Sequence, residues 1–182
     1  MADSVTDQLI DVFRSHGYEG ASLSLLAEAT GLKRASLYYR FPGGKREMAE
    51  AALAEVNGFF AANVVGPLLS AEEPGERVRR AVQGLKAFYE DGRKSCLLDV
   101  LSLGEGAALF RPLICRMFTA LKDALATVAR AGGHDPATAE RLAEEAVIRI
   151  QGALVLARGC DDPAPFLRVV EDLPAFLLRQ AS

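Results

Sequence analysis

The residues that most directly suggest chemistry form a cluster of cations near the N-terminus. Between residues 31 and 46 the sequence has five Lys or Arg and no Asp or Glu, although the 182-residue chain has a net charge of −3. Such a patch attracts phosphate groups, and Lys and Arg also donate to guanine in the major groove. Charge runs are more often plain solvated surface, so the surrounding elements decide the interpretation. The five cations are Lys33, Arg34, Arg40, Lys45 and Arg46.

Catalytic and metal chemistry have little support in the sequence. Three widely spaced cysteines form no CxxC pair, and two distant histidines match no zinc pattern. The adjacent acids at 144–145 and 161–162 would point about 100° apart on a helix, which does not suit acid–base work. The Gly-Glu-Gly at 104–106 follows a helix rather than the strand that a dinucleotide loop requires. We therefore expect no enzyme, no metal and no cofactor.

The chain is predicted to be all-α, with about nine helices. Apolar residues recur at spacings of three and four, and alternating β-branched runs are missing. Ser4 and Asp7 have the spacing of a capping box for a first helix that Gly17 ends. Ser22 caps a short second helix, and Gly31 follows it where a helix end requires positive φ.

The later helices are predicted from their breakers. A third helix ends before Pro42, and a fourth runs from Lys45 to a break at Gly66-Pro67. A turn is expected at residues 104–106, before a helix with Pro112 in its first turn. Asp-Pro pairs at 135–136 and 162–163 start the last two helices.

The second and third helices have the spacing of a helix-turn-helix, joined by Thr30-Gly31-Leu32. In that motif the second helix enters the major groove, and here it is the basic one. Residues 9 to 53 resemble the DNA-binding domain of the TetR family of bacterial transcriptional regulators. The matching runs are 17–22, 26–32 and the Ser-Leu-Tyr-Tyr-Arg-Phe at 36–41, followed by Lys45 and Met48.

The sequence departs from that family's usual pattern at two points. Many members have His at the position of Arg40, and their link to the fourth helix is one residue shorter. Here the link reads Phe41-Pro42-Gly43-Gly44-Lys45, which resembles a Phe-Pro-Gly-Gly-Lys subgroup of the family.

Side-chain chemistry and the resemblance together predict nine DNA-contacting residues. Lys33 and Arg34 either read base edges or only neutralise phosphates, and the serines either meet a phosphate or only cap a helix. At least one of the two tyrosines is expected to be mainly core-facing. Arg40 and Lys45 are expected to hold phosphates. The set is Ser22, Ser24, Lys33, Arg34, Ser36, Tyr38, Tyr39, Arg40 and Lys45.

The rest of the chain is rich in Phe, Leu, Val and Met, and the resemblance implies an effector cavity there. A mostly apolar and aromatic lining would suit a small hydrophobic effector, although each residue alone is better explained as ordinary core. Cys96 and Cys115 are predicted to be buried packing residues rather than sensors. The candidate lining is Phe59, Phe60, Phe88, Tyr89, Leu101, Phe110, Met117, Phe118 and Gln151.

The resemblance also implies a homodimer that pairs its last two helices and reads a near-palindromic DNA operator. Effector binding would then lower the affinity for DNA, as in a repressor. The predicted domains are 1–48 for DNA binding and 49–182 for effector binding and dimerisation. The predicted interface is Ala146, Ile150, Ala153, Leu154, Phe166, Val170 and Phe176.

The sequence favours a cytoplasmic protein. No uninterrupted apolar stretch reaches the roughly 18 residues of a membrane span, and residues 1–13 have neither the basic start nor the apolar run of a signal peptide. The alternative to a DNA-binding regulator is a helical ligand-binding or dimerisation module without DNA function, which would bind no DNA.

Overall fold

A computed structural model describes residues 4–179, and within them every regular element is helical. Nine helical stretches occur there, as the sequence predicts, and the described residues contain no strand. They are α1 Val5–Gly20, α2 Leu23–Thr30, α3 Arg34–Arg40, α4 Gly44–Leu68, α5 Pro74–Tyr89, α6 Leu97–Val100, α7 Gly104–Ala131, α8 Pro136–Cys160 and α9 Ala164–Leu178.

Helix starts with a local capping signal fold as predicted. The Asp7 N–H donates to the Ser4 hydroxyl over 3.1 Å and the Ser4 N–H donates to the Asp7 carboxylate over 3.3 Å, which completes the capping box. The Leu25 N–H donates to the Ser22 hydroxyl at the start of α2, over 3.2 Å. Gly31 ends α2 with φ at +63°, so the predicted left-handed turn of the helix-turn-helix is confirmed.

The predicted break at Gly66-Pro67 is wrong. Helix α4 continues from an α-helical part, Gly44–Phe60, through a π-helical turn, Ala61–Val65, to a last α turn at Gly66–Leu68. The Gly66 N–H donates to the carbonyl of Ala61, five residues back. The wider π turn accommodates Pro67, which has no N–H to donate.

The predicted turn at residues 104–106 and the place of Pro112 in a first turn are also wrong. Helix α7 already begins at Gly104, so Pro112 lies well inside it. The Glu105 N–H donates to the carboxylate of Glu19, which caps this helix start. Because Glu19 is 86 residues away in sequence, no local pattern could have indicated the cap.

The contacts divide the chain into two compact units. The first unit comprises the chain up to Gly58 together with Cys96–Ile114, and the second comprises Phe59–Ser95 and the chain from Cys115 onward. The first has a core in which Leu9, Phe13 and Leu26 are fully buried. The second is built on the packing of α8 against α9 and of α9 against α5. The functional boundary after residue 48 stays a prediction.

Helix α4 has one further property. An 18-residue window within Gly44–Leu68 has a mean hydropathy of 1.2 and is 33% buried, so by length and composition it could cross a membrane. It is not the uninterrupted apolar run that the sequence lacks, because Lys45 and Glu55 lie within this helix. Core helices can have the same length and composition, and α4 buries Met48, Leu53 and Val56.

Candidate nucleic-acid interface

Helix α3 has one inward face and presents its other residues to solvent. Leu37 and Phe41 are four residues apart and both are buried, so they anchor α3 to the rest of the first unit. Eight of the nine predicted DNA-contacting residues are exposed on the start of α2 and around α3. The ninth, Lys45, is half-buried in the first turn of α4.

The expectation that one tyrosine faces the core is wrong. Tyr38 is 45% exposed and Tyr39 is 91% exposed. Because α3 has only seven residues and its inward positions belong to Leu37 and Phe41, the residues between them point outward. The Tyr38 ring lies beside Gly44, and a Cβ added there would be 3.5 Å from its Cε1.

Two of the five cations are held by partners within the first unit. The Lys45 ammonium donates to the Tyr18 carbonyl over 2.9 Å and lies 4.5 Å from the centroid of the Tyr18 ring. Arg46 pairs with Glu50 one helical turn later, with Nε 2.9 Å from the carboxylate. The spacing of four residues on a helix could have indicated that pair from the sequence. Arg46 therefore adds little net charge to the surface.

The other three cations keep their charge available. Lys33 is exposed, and within residues 4–179 its ammonium group has no hydrogen bond or ion pair. The Arg40 guanidinium lies 5.7 Å from the centroid of the Phe41 ring. Arg34 donates from Nη2 to the hydroxyl of Ser24, a neutral partner that leaves the positive charge intact. Sequence reasoning missed this link, because it joins residues on two helices.

The link between α3 and α4 depends on glycine geometry. Gly44 has φ at +67°, a region that side chains other than glycine rarely adopt. The Gly43 N–H donates to the Glu47 carboxylate over 2.6 Å, which satisfies a free donor at the start of α4. The link therefore turns the chain sharply and places Lys45 next to Tyr18.

The predicted effector residues do not all come together. Phe59, Phe60, Phe88 and Tyr89 form an aromatic cluster in the second unit, with Phe60 and Phe88 centroids 5.0 Å apart at nearly perpendicular planes. Phe166 completes this cluster through a contact of 5.7 Å with Tyr89, although the sequence assigned it to the dimer interface.

The other five predicted effector residues lie elsewhere. Leu101 and Phe110 belong to the first unit, where the Phe110 ring meets Tyr18 edge-on at 5.3 Å. Met117 and Phe118 on α7 and Gln151 on α8 belong to the second unit. The surface pockets between α7 and α8 and along α9 are lined by other residues.

The predicted dimer-interface residues are mostly buried within the chain itself. Six of the seven are at most 4% exposed, and the half-buried Phe176 lies under Arg149, whose guanidinium is 3.9 Å from the ring centroid. The exposed apolar residues of α8 are instead Ile148, Val155 and Leu156. Whether the predicted residues contact a second copy stays a prediction.

The cysteines only partly behave as predicted. Cys96 is buried, but Cys115 and Cys160 are exposed, so the expected burial of Cys115 is wrong. Cys115 lies on the outward face of α7, which the spacing of apolar residues did not reveal. No group of three His, Cys, Asp or Glu side chains that could hold a metal ion occurs within residues 4–179.

A helix-turn-helix with an exposed basic second helix, followed in the chain by a larger helical unit, defines a DNA-binding transcriptional regulator. Residues 6–52 match the family model of bacterial regulatory proteins of the tetR family. Residues 74–172, more than half of the chain, match the model of the LmrA/YxaF-like transcriptional regulator C-terminal domain. The chain belongs to the TetR family of bacterial transcriptional regulators.

Individual relatives agree with this assignment. Over 178 residues the chain is 25% identical to the HTH-type transcriptional regulator LmrA of Bacillus subtilis, covering 92% of each chain. A TetR transcriptional regulator from Legionella pneumophila has the same fold, with a TM-score of 0.80 at 21% identity over 96% of this chain and 98% of that one. A CifR variant solved with a 26-base-pair operator DNA has a TM-score of 0.75 at 26% identity over 96% of each chain. These relatives are transcriptional regulators rather than enzymes.

Proposed function

We propose that this chain is a ligand-responsive repressor. It binds a near-palindromic operator as a homodimer in the cytoplasm, and a small hydrophobic effector releases it. Residues 1–48 bind DNA, and residues 49–182 bind the effector and form the dimer. The observation that carries the proposal is the exposed face of α3, where Lys33, Arg34 and Arg40 keep their charge beside two exposed tyrosines.

The roles of the DNA-contacting residues follow from their positions. Lys33 and Arg34 lie at the start of α3, where a recognition helix meets base edges, and Ser36 lies one turn from Lys33. Tyr38 and Tyr39 present their hydroxyl groups to DNA. The phosphate contacts that position the helix without reading sequence are made by Ser22, Arg40 and Lys45. Ser24, the last residue of the set, has its hydroxyl bonded to Arg34.

Two details of this assignment are specific to the chain. The Ser22 hydroxyl already accepts from the Leu25 N–H, so the free N–H groups at the start of α2 are the better phosphate donors. Lys45 keeps two ammonium N–H groups beyond the one that it donates to Tyr18. The glycine-dependent link that positions it supports membership of a Phe-Pro-Gly-Gly-Lys subgroup.

The aromatic cluster of Phe59, Phe60, Phe88, Tyr89 and Phe166 is the proposed effector site. Phe59 and Phe60 are only half-buried, so a ligand can approach their rings. Aromatic rings prefer edge-to-face or offset contacts, and the tilted arrangement here offers both to a flat apolar ligand. Met117, Phe118 and Gln151 complete the proposed lining from α7 and α8.

The exposed apolar stripe on α8 is the proposed dimer contact. Ile148, Gly152, Val155 and Leu156 recur at spacings of three and four, which places them on one face of the helix. Ile148 is 64% exposed and Leu156 is 56% exposed, and a Cβ added at Gly152 would meet nothing within 4 Å. A second copy packed on this stripe would bury it, with the sequence-predicted residues Ala146, Ile150, Ala153 and Leu154 directly behind.

The test is a selection from random duplex DNA with the purified full-length protein at about 150 mM salt, because phosphate contacts make affinity depend steeply on salt. We expect enrichment of a near-palindromic sequence. A Lys33→Ala, Arg34→Ala double variant is the matched control and should enrich it poorly. Failure of the wild-type protein to enrich any sequence would contradict the proposal and favour a helical module without DNA function.

A further inference from the structure

A side-chain hydrogen bond joins the two helices of the helix-turn-helix on their solvent side. The Arg34 guanidinium donates from Nη2 to the Ser24 hydroxyl, across ten residues of sequence. Ser24 lies in the first turn of α2, and Arg34 is the first residue of α3. Both side chains are exposed, so the bond lies on the surface proposed to meet DNA.

The Ser24 end of this bond is fixed by the packing of α2. The Ser22 hydroxyl caps the same helical turn, through the Leu25 N–H. Leu26, two residues after Ser24, is fully buried, and the buried Thr30 hydroxyl donates to the Leu26 carbonyl over 2.7 Å. A hydroxyl on so well anchored a turn is a stationary acceptor for a long, flexible side chain.

The chemical type of the partner matters as much as its position. Arg46 shows the alternative, since its bond to the Glu50 carboxylate neutralises its charge. Ser24 holds Arg34 through a neutral oxygen, so the full charge stays available to DNA. A guanidinium has five N–H donors, and one bond to Ser24 leaves four, enough for a bidentate contact with guanine.

We propose that Ser24 is a positioning residue for sequence recognition. It orients Arg34 in the free protein and acts on DNA through that arginine rather than as a phosphate contact of its own. Ordering a long side chain before binding removes part of the entropy cost of the complex. This inference rests on the proposed function, in which Arg34 reads a base edge.

The experiment measures affinity for the selected duplex and for variants changed at each base pair, using the full-length protein at fixed salt. We expect Ser24→Ala to weaken binding to the selected duplex about three- to tenfold, the range of a single ordinary hydrogen bond, because this exposed bond acts on DNA only through Arg34. It should also relax sequence preference at the same base pair as Arg34→Ala. Ser24→Thr, which keeps the hydroxyl, should restore both. In the Arg34→Ala background, Ser24→Ala should have no further effect.

A matched control and a second measurement separate this role from a merely structural one. Ser15 is also an exposed helical serine, and its hydroxyl donates to the carbonyl of Asp11 in its own helix, so Ser15→Ala should change neither affinity nor preference. In the free protein, relaxation of the Arg34 Nε–H by NMR should report greater mobility in Ser24→Ala and recovery in Ser24→Thr. Circular dichroism should remain unchanged in all of these variants.

The contrary outcomes are distinct. Equal losses on every duplex, additive with Arg34→Ala, would make Ser24 a phosphate contact and overturn the inference while the proposed function stands. Unchanged Arg34 mobility in Ser24→Ala would also overturn it, whether or not DNA is bound. Failure to enrich any duplex would instead refute the proposed function, and the mobility measurement would still decide whether Ser24 orders Arg34.

Discussion

The aromatic side chains of α3 and those of α5 have opposite surroundings. On α3, Tyr38 and Tyr39 lie in solvent while the neighbouring Leu37 and Phe41 form the inward face. On α5, Phe88 and Tyr89 are both buried and touch three further rings. Exposed rings add little to the stability of a fold, whereas buried rings contribute a large part of it.

The difference shows what the recognition surface and the aromatic cluster each require from their sequence. The recognition surface needs only a few buried residues to fix a short helix, and the outward positions are then free to serve a partner. The aromatic cluster has no such division, because Phe60 of α4 and Phe166 of α9 both pack against the ring of Tyr89 on α5. Substitutions in the two regions should therefore affect different measurements.

The largest expected effect is on the stability of the second unit. Phe88→Ala removes a ring that lies 5.0 Å from each of Phe59, Phe60 and Tyr89, and it should lower the free energy of unfolding by about 3–5 kcal/mol. Tyr39→Ala, at an exposed ring, should change it by no more than about 0.5 kcal/mol. Urea unfolding of both variants tests this. Comparable losses would mean that the two regions do not differ in the way described.

The next largest effect on the free energy of unfolding is expected when a helical glycine, Gly84, is replaced by alanine. A Cβ added at Gly84 on α5 would collide with the Asn63 carbonyl oxygen, in the π turn of α4. Since a backbone atom cannot move aside easily, Gly84→Ala should lower the free energy of unfolding by about 1–3 kcal/mol.

The matched control is Gly58→Ala, also within a helix but with nothing within 4 Å of the added Cβ. It should raise the free energy of unfolding by about 0.5–1 kcal/mol, because alanine favours a helix more than glycine does. A stabilised Gly84→Ala protein would contradict the close approach of α5 to the π turn.

These features also explain how far the sequence could predict the structure. Helix starts that depend on a neighbour three residues away, at Ser4, Ser22 and Asp135, are confirmed. The start of α7 depends on Glu19, and the continuation through Pro67 depends on a π turn packed against Gly84. Those two contacts join parts of the chain that are distant in sequence, so no local pattern contains them.

The features of the candidate site also fall into those that the local sequence predicts and those that depend on distant contacts. Residue type and helical spacing were sufficient to predict the helix-turn-helix and the exposure of its basic residues. They could not predict the hydrogen bond from Lys45 to the Tyr18 carbonyl. Nor could they predict that one apolar face of α8 is buried while the other is exposed. Periodicity identifies Ile150 and Ile148 as apolar positions of one helix, but only the packing on α9 decides which is covered.

The recognition surface itself is tested by comparing cations with and without an acidic partner. Lys33→Ala should weaken binding to the selected duplex about three- to tenfold at 150 mM salt, with a slope of log affinity against log salt reduced by about 1 if it meets a phosphate. The joint substitution Arg46→Gln, Glu50→Gln removes an ion pair without changing net charge and should change binding less than about twofold. Equal losses would mean that Arg46 also contributes to the interface.

The smallest expected effect concerns the two helix starts that are capped by carboxylates. The Glu105 N–H holds the pKa of Glu19 below its ordinary value, and the Thr138 hydroxyl and N–H do the same for the pKa of Asp135. A group whose pKa is lowered on folding stabilises the protein above its unfolded pKa, and that contribution is lost as pH falls through the folded pKa. Glu19→Gln should therefore be less stable than wild type at pH 7.

Because the unfolded pKa of a glutamate is about 4.3, the difference between wild type and Glu19→Gln should shrink as pH falls below that value. Asp135→Asn should lose less at every pH, since asparagine is itself a good N-cap. Thermal unfolding of the three proteins between pH 3 and pH 7 measures this. A difference between Glu19→Gln and wild type that stays constant over that range would mean that the charge of Glu19 contributes nothing to the start of α7.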